Sequence, residues 1–187
     1  MDALMAALVA ALLLHATDRT PWLIAGLAPR YRHSGMVLAG AVTALVAVNM
    51  LAALGGAAIA PRLTPNARAL FLALALGAAG LGCFGALKPP ERLAGWRTGP
   101  LLTPFIGMLT LGFGSAQFVA MAIALRAGTP VFATIGATIG GAVIAAAAIT
   151  LGEQGVAPLR RRAVRLPVGM LLVLAALVAA LSALRLI

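Results

Sequence analysis

The chain has little charge and almost no acid. Only 10% of its 187 residues are charged, and four are aspartate or glutamate. An ordinary soluble domain carries roughly 25% charged residues. Here 63% are hydrophobic and the mean hydropathy is +1.07. That is the composition of a membrane protein. Cysteine is nearly missing too. Cys83 stands alone, which excludes a disulfide framework and a cysteine-based metal site. Its expected role is small apolar filler in a helix. Aromatics reach only 5%, and none interleave with a basic face, so the net charge of +10 does not read as a nucleic-acid surface. There is no nucleophile constellation, phosphate loop or acid pair placed for hydrolysis, so the reading is not an enzyme.

What is present is apolar helix. About 20 mostly apolar residues cross the hydrocarbon core. Gly, Pro and Arg punctuation gives six spans, near 3–28, 35–60, 66–87, 100–125, 130–151 and 167–186. The expected fold class is an all-α membrane protein, one transmembrane domain over 1–187, whose expected partner is the lipid bilayer. The apolar start reads as retained rather than cleaved, because Asp2 and no Lys or Arg precedes it and no small-x-small site follows.

Charge gives an orientation. Arg30, Arg32, Lys88, Arg92, Arg97, Arg160, Arg161, Arg162 and Arg165 fall in the first, third and fifth loops. Only Arg62, Arg68, Arg126 and Arg185 fall on the other side. Nine against four puts the basic loops in the cytoplasm and both termini outside, as in a multi-pass protein of a bacterial inner membrane. The stretch RRRAVR at 160–165 reads as a topology anchor.

The segment HATDRT, residues 15–20, interrupts the first span. Residues 3–14 are too few to cross alone, and WLIAGLA at 22–28 supplies the missing length. His15, Asp18 and Arg19 therefore fall near mid-span. Pro21 lacks a backbone donor and disfavours helix at Thr20, which predicts a kinked or broken helix there. Transporters bind ions and substrates at such interruptions. If the helix continued, His15 would share a face with Asp18 and with Arg19. A His–Asp pair inside a membrane suits proton carriage, since imidazole titrates near neutral pH.

The second half echoes the first. Aligning ATDRTPWLIAGLAPRYRHSGMVLAGAV with FGSAQFVAMAIALRAGTPVFATIGAT sets Asp18 against Ser115, an offset of 97, and Gly40 against Gly136, an offset of 96. Units of three spans each, 1–88 and 98–187 joined by a linker at 88–99, would sit in the membrane upside down to each other. That is an inverted-topology repeat. Small residues at Gly35 and Ala39, at Gly136 and Gly140, and in AGLG at 79–82 suit close helix packing.

These features resemble the GDT-type membrane proteins, a manganese/calcium transporter family related to cation–proton antiporters. Its hallmark is a pair of E-x-G-D-K-T/S motifs, one per half. LLLHATDRTPWLIAGLAPRYR is similar to the first, VLAGAVTALVAVNMLAALGG to the second helix, and TLGFGSAQFVAMAIALRAGTPVFATIGATIGG to the second motif region. In the first motif, His15 stands for Glu and Thr17 for Gly, Asp18 is kept, Arg19 replaces Lys, and Thr20 is kept. In the second, Gly112 stands for Glu, Gly114 is kept, Ser115 replaces Asp, Ala116 replaces Lys, and Gln117 takes the Thr/Ser place. The resemblance implies a transport site of His15, Asp18, Arg19, Thr20, Ser115 and Gln117. Mn²⁺ or Ca²⁺ would be a passing substrate, not a cofactor, with Asp18 and His15 as the metal ligands. Only Asp18 remains of the family's four acids. Ca²⁺ wants roughly 6–8 oxygen ligands, whereas a softer ion would accept imidazole.

Other polar residues read more plainly. Asn49 suits an interhelical hydrogen bond, Glu153 and Gln154 a surface position beside the arginine cluster, and His33 a loop. Trp22 suits packing and Trp96 an interfacial anchor. Two alternatives to a cation transporter stand beside it: a degenerate, non-transporting paralogue that regulates a partner, and a small-solute exporter of the amino-acid exporter type. The pattern assigns no oligomeric state.

Overall fold

The computed structural model describes residues 1–31, 33–85, 98–111 and 114–184. Arg32, Lys88, Arg92, Trp96, Arg97, Gly112 and Arg185, named above, lie outside the described residues. Among the described residues eight α-helices follow one another: α1 (Asp2–Thr17), α2 (Thr20–Leu27), α3 (Ser34–Ile59), α4 (Pro65–Phe84), α5 (Leu102–Leu111), α6 (Ser115–Ala127), α7 (Pro130–Val156) and α8 (Arg162–Ala183). Short 3-10 turns at Ala60–Arg62 and Ala157–Arg160 precede α4 and α8.

Four helices, α3, α4, α7 and α8, are each long and apolar enough to cross a membrane. The pairs α1–α2 and α5–α6 each pass that test together, bent by 66° and 72°. The outer surface is greasy: Leu74 is 70% exposed and Val131 66%, with Leu81, Leu174 and Leu51 close behind. Large exposed apolar patches are rare on soluble monomers. Against lipid tails they need no cover.

Alanine and glycine let the helices approach. α1 packs on α7, α4 on α8, and α3 on both α6 and α7. At Gly136 the α7 backbone meets the Leu4 carbonyl of α1, and at Gly40 the α3 backbone meets the Leu101 carbonyl just before α5. Gly80 and Gly169 face each other where α4 crosses α8. A Cβ on either would come within 2.9–3.0 Å of the other's carbonyl oxygen. Gly141 of α7 rests on Leu45 of α3, with the His15 ring beside it.

Several expectations need correction. Gly35 has open space around it, so the close contacts on α3 belong to Gly40 and Gly56 instead. Tyr31, in the turn after α2, bonds its hydroxyl to Thr103 of α5 at 2.7 Å. The long fifth loop is mostly helical. α7 runs on to Val156, with one positive φ of +64° at Gly152, and α8 begins at Arg162, not at residue 167. Pro167 misleads as a start signal. It lies inside α8, where it forgoes one backbone hydrogen bond but does not end the helix. Asn49, as expected, donates across the interface, its amide reaching Thr138 Oγ1 at 3.3 Å.

Candidate functional site

The first break falls where proline forces it. The Pro21 ring would collide with the carbonyl four residues back, that of Thr17, and α1 ends at Thr17. Asp18 is extended (φ −97°, ψ −169°), Arg19 turns the chain, and α2 restarts with Pro21 in its first turn, where a missing N–H is harmless. Thr17 donates its hydroxyl to the Leu13 and Leu14 carbonyls at 2.9 and 3.2 Å, partly satisfying the frayed end of α1.

The second span is also interrupted, between Leu111 and Ser115. The reading of the sequence placed a motif there but foresaw no break. Gly114 adopts φ −98° and ψ −169°, nearly the dihedrals of Asp18. On backbone geometry Asp18 thus corresponds to Gly114, one residue out of step with the alignment onto Ser115. Gln117 caps the new helix, its Oε1 accepting from the Gly114 N–H at 3.3 Å.

A cavity of about 230 Å³ lies where the breaks approach α4 and α8, lined by Leu14, Thr17, Asp18, Arg19, Ala79, Gly82, Cys83, Ser115 and Arg165. The structure thus brings Asp18, Arg19 and Ser115 together. It does not bring His15, Thr20 or Gln117 with them. His15 is 2% exposed, its Nδ1 3.3 Å from Thr20 Oγ1. Its Nε2 has no partner among the described residues. Because the helix stops at Thr17, the shared face expected for His15 and Asp18 is lost. Gln117 is buried at its cap. No group of three His, Cys, Asp or Glu residues gathers for a metal among the described residues.

Arg165 is the residue the sequence reading missed. It was placed in a solvated basic loop. In the fold it is 5% exposed, in the first turn of α8, donating Nη1 to the Gly85 carbonyl and Nη2 to the Gly82 carbonyl. Those carbonyls end α4 and would otherwise lack donors. Its Nε is buried without a partner among the described residues. The signal available in the sequence was spacing: Arg165 lies three residues from Arg162 and two from Pro167, within reach of a helix that starts before the proline.

The 16 residues of α1 rise about 24 Å, against a hydrocarbon core of about 30 Å. The cavity is level with the end of α4 and the start of α8, toward the end of the bundle that carries the α7–α8 connection.

A bundle of apolar helices with two bent spans closing on a polar cavity defines a multi-span membrane protein. Residues 3–88 match the family model described as divalent cation/proton antiporter GDT1. The match covers α1 to α4, somewhat under half of the chain, and makes that part similar to the family. No curated protein and no solved structure matches the chain.

Proposed function

We propose that this protein is a secondary carrier, built from two inverted three-helix units, whose solute site is the cavity at Asp18. The carrying observation is that both bent spans break at that cavity, one bringing Asp18 and Arg19 and the other the start of α6 at Ser115. Broken helices expose backbone groups inside a membrane only where they line a cavity.

The contacts support the inverted reading. Shifting Gly40 by 96, the offset that sets Asp18 on Gly114, gives Gly136, and each glycine meets a carbonyl near the start of the opposite unit, Leu101 and Leu4, which correspond to within one residue at that offset. Leu45 and Gly141 are also 96 apart, and they touch each other. An exchange of this kind is what a two-fold axis between units requires. The units then run 1–88 and 98–187, with the basic connections on the cytoplasmic side.

The similarity over residues 3–88 brings Mn²⁺ or Ca²⁺ forward as cargo, exchanged for protons. The cavity holds one carboxylate and two guanidinium groups. A carrier of altered selectivity fits that set better than a Ca²⁺ site, which needs several anionic oxygens. The test is flux in liposomes reconstituted with the purified protein, with Mn²⁺, Ca²⁺, protons and small anions offered in turn. At least one should move, and Asp18→Asn should suppress it. Identical behaviour of wild type and Asp18→Asn for every solute would sink the carrier reading.

A further inference from the structure

The cavity's charge has the wrong sign for the cation named by the family match. Asp18, Arg19 and Arg165 line it together, a formal +1. Helix ends do not reverse that. The carbonyl end of α1 faces the cavity beside the starts of α2 and α6, and the carbonyl end of α4 is already engaged by Arg165. Ends of opposite sign largely offset each other.

Arg165 is the second observation. A guanidinium carries five N–H donors. Two go to the α4 carbonyls and the Nε is sealed from solvent, so what Arg165 offers the cavity it lines is the second N–H of each Nη. The Arg19 side chain, exposed at the same cavity, has no hydrogen bond or ion pair among the described residues, and Asp18 forms no ion pair there either. These three charges line one space without direct ion pairs among them. Arginine forks suit oxyanions.

We infer that the cavity binds a small oxyanion of single negative charge that still carries a proton. Arg165 and Arg19 hold its bare oxygens, Ser115 and the start of α6 add donors, and Asp18 accepts from its hydroxyl. The monoanion brings the formal charge to zero. A volume of about 230 Å³ suits a solute of a few heavy atoms and falls short of the roughly 300–1,000 Å³ of drug-sized sites. Asp18 makes the site selective, because a carboxylate repels an oxyanion with no proton to offer. The inference rests on the carrier reading only for calling the anion cargo; the binding stands by itself.

The probe is radiolabelled inorganic phosphate, with sulfate as the unprotonated competitor and Mn²⁺ as the cation arm, on the full chain in lipid nanodiscs and in liposomes. Wild type should bind phosphate, and sulfate should compete poorly. Arg19→Gln should weaken phosphate binding about tenfold or more. Arg19 has no structural partner, so the fold should survive, unlike the riskier Arg165→Gln. Asp18→Asn should lower phosphate binding and let sulfate compete. Arg126→Gln, at the far end of α6, should change nothing. Saturable Mn²⁺ binding that Asp18→Asn abolishes, with no phosphate binding, would overturn the anion site and leave the carrier reading standing. Phosphate binding that depends on Arg19, with no flux of any solute, would support the anion site and overturn the carrier. Phosphate binding indifferent to Arg19 and Asp18 would overturn the site proposed here.

Discussion

The α1–α2 span bends by 66° at Asp18, and the α5–α6 span bends by 72° just before Ser115. Asp18 and Gly114 even share their dihedrals to within a degree. Yet the first break carries an acid and an arginine, whereas the second, in its described residues, offers Ser115, Ala116 and the capped amide of Gln117. The backbone device is duplicated while its chemistry is not. Breaking a helix needs only that continuation be blocked, as Pro21 does in the first span. Charge is a separate property of the side chains. Two breaks can therefore share a backbone geometry while differing in their ionisable groups.

The comparison can be broken or sharpened by substitution. The largest difference should appear in flux. Asp18→Asn should lower transport of whichever solute moves by about 10- to 100-fold, matching the roughly 1.5–3 kcal/mol of a hydrogen bond to a charged group. Ser115→Ala should cost at most about tenfold, the worth of a neutral bond. Equal losses would mean that the halves share the chemistry after all.

The next test concerns the shared architecture. Gly40→Val and Gly136→Val push a side chain into the Leu101 and Leu4 carbonyls. Each should destabilise the protein by about 1–3 kcal/mol or more, read as a drop in melting temperature in detergent. Similar drops sharpen the inverted relation, and a large effect at one site alone argues against it. Gln117→Ala removes the cap at Gly114 and should cost about 1 kcal/mol in the same assay, with Gln117→Glu restoring most of it. Thr20→Val, which deletes the bond to His15 on the other side of the first break, should cost about 0.5–1.5 kcal/mol. If it instead altered flux as strongly as Asp18→Asn, His15 and Thr20 would belong to the transport site despite lying outside the cavity.

Much of the architecture was legible because lipid imposes a length. Spans of some twenty apolar residues can be counted, and the break at HATDRT followed from twelve apolar residues being too short and from Pro21. The second break was harder to see, because Gly114 is as readily read as packing as an interruption. The candidate site was half legible. Asp18, Arg19 and Ser115 do share a cavity, but His15, Thr20 and Gln117 do not line it. His15 was paired with Asp18 by helical spacing, and that rule fails once the helix ends between them.

By itself, the sequence determined that this chain builds helices apolar and long enough to cross a membrane, and that the first of them cannot stay straight, since those follow from hydropathy, length and proline stereochemistry. Tertiary structure decided which charges share one space. Arg165 is some eighty residues from Gly82 and Gly85, whose carbonyls it meets, and further still from Asp18. No local rule carries that far. Only the crossing of α4 and α8 at Gly80 and Gly169 swings the first turn of α8 against the end of α4, and so turns a loop arginine into a wall of the cavity.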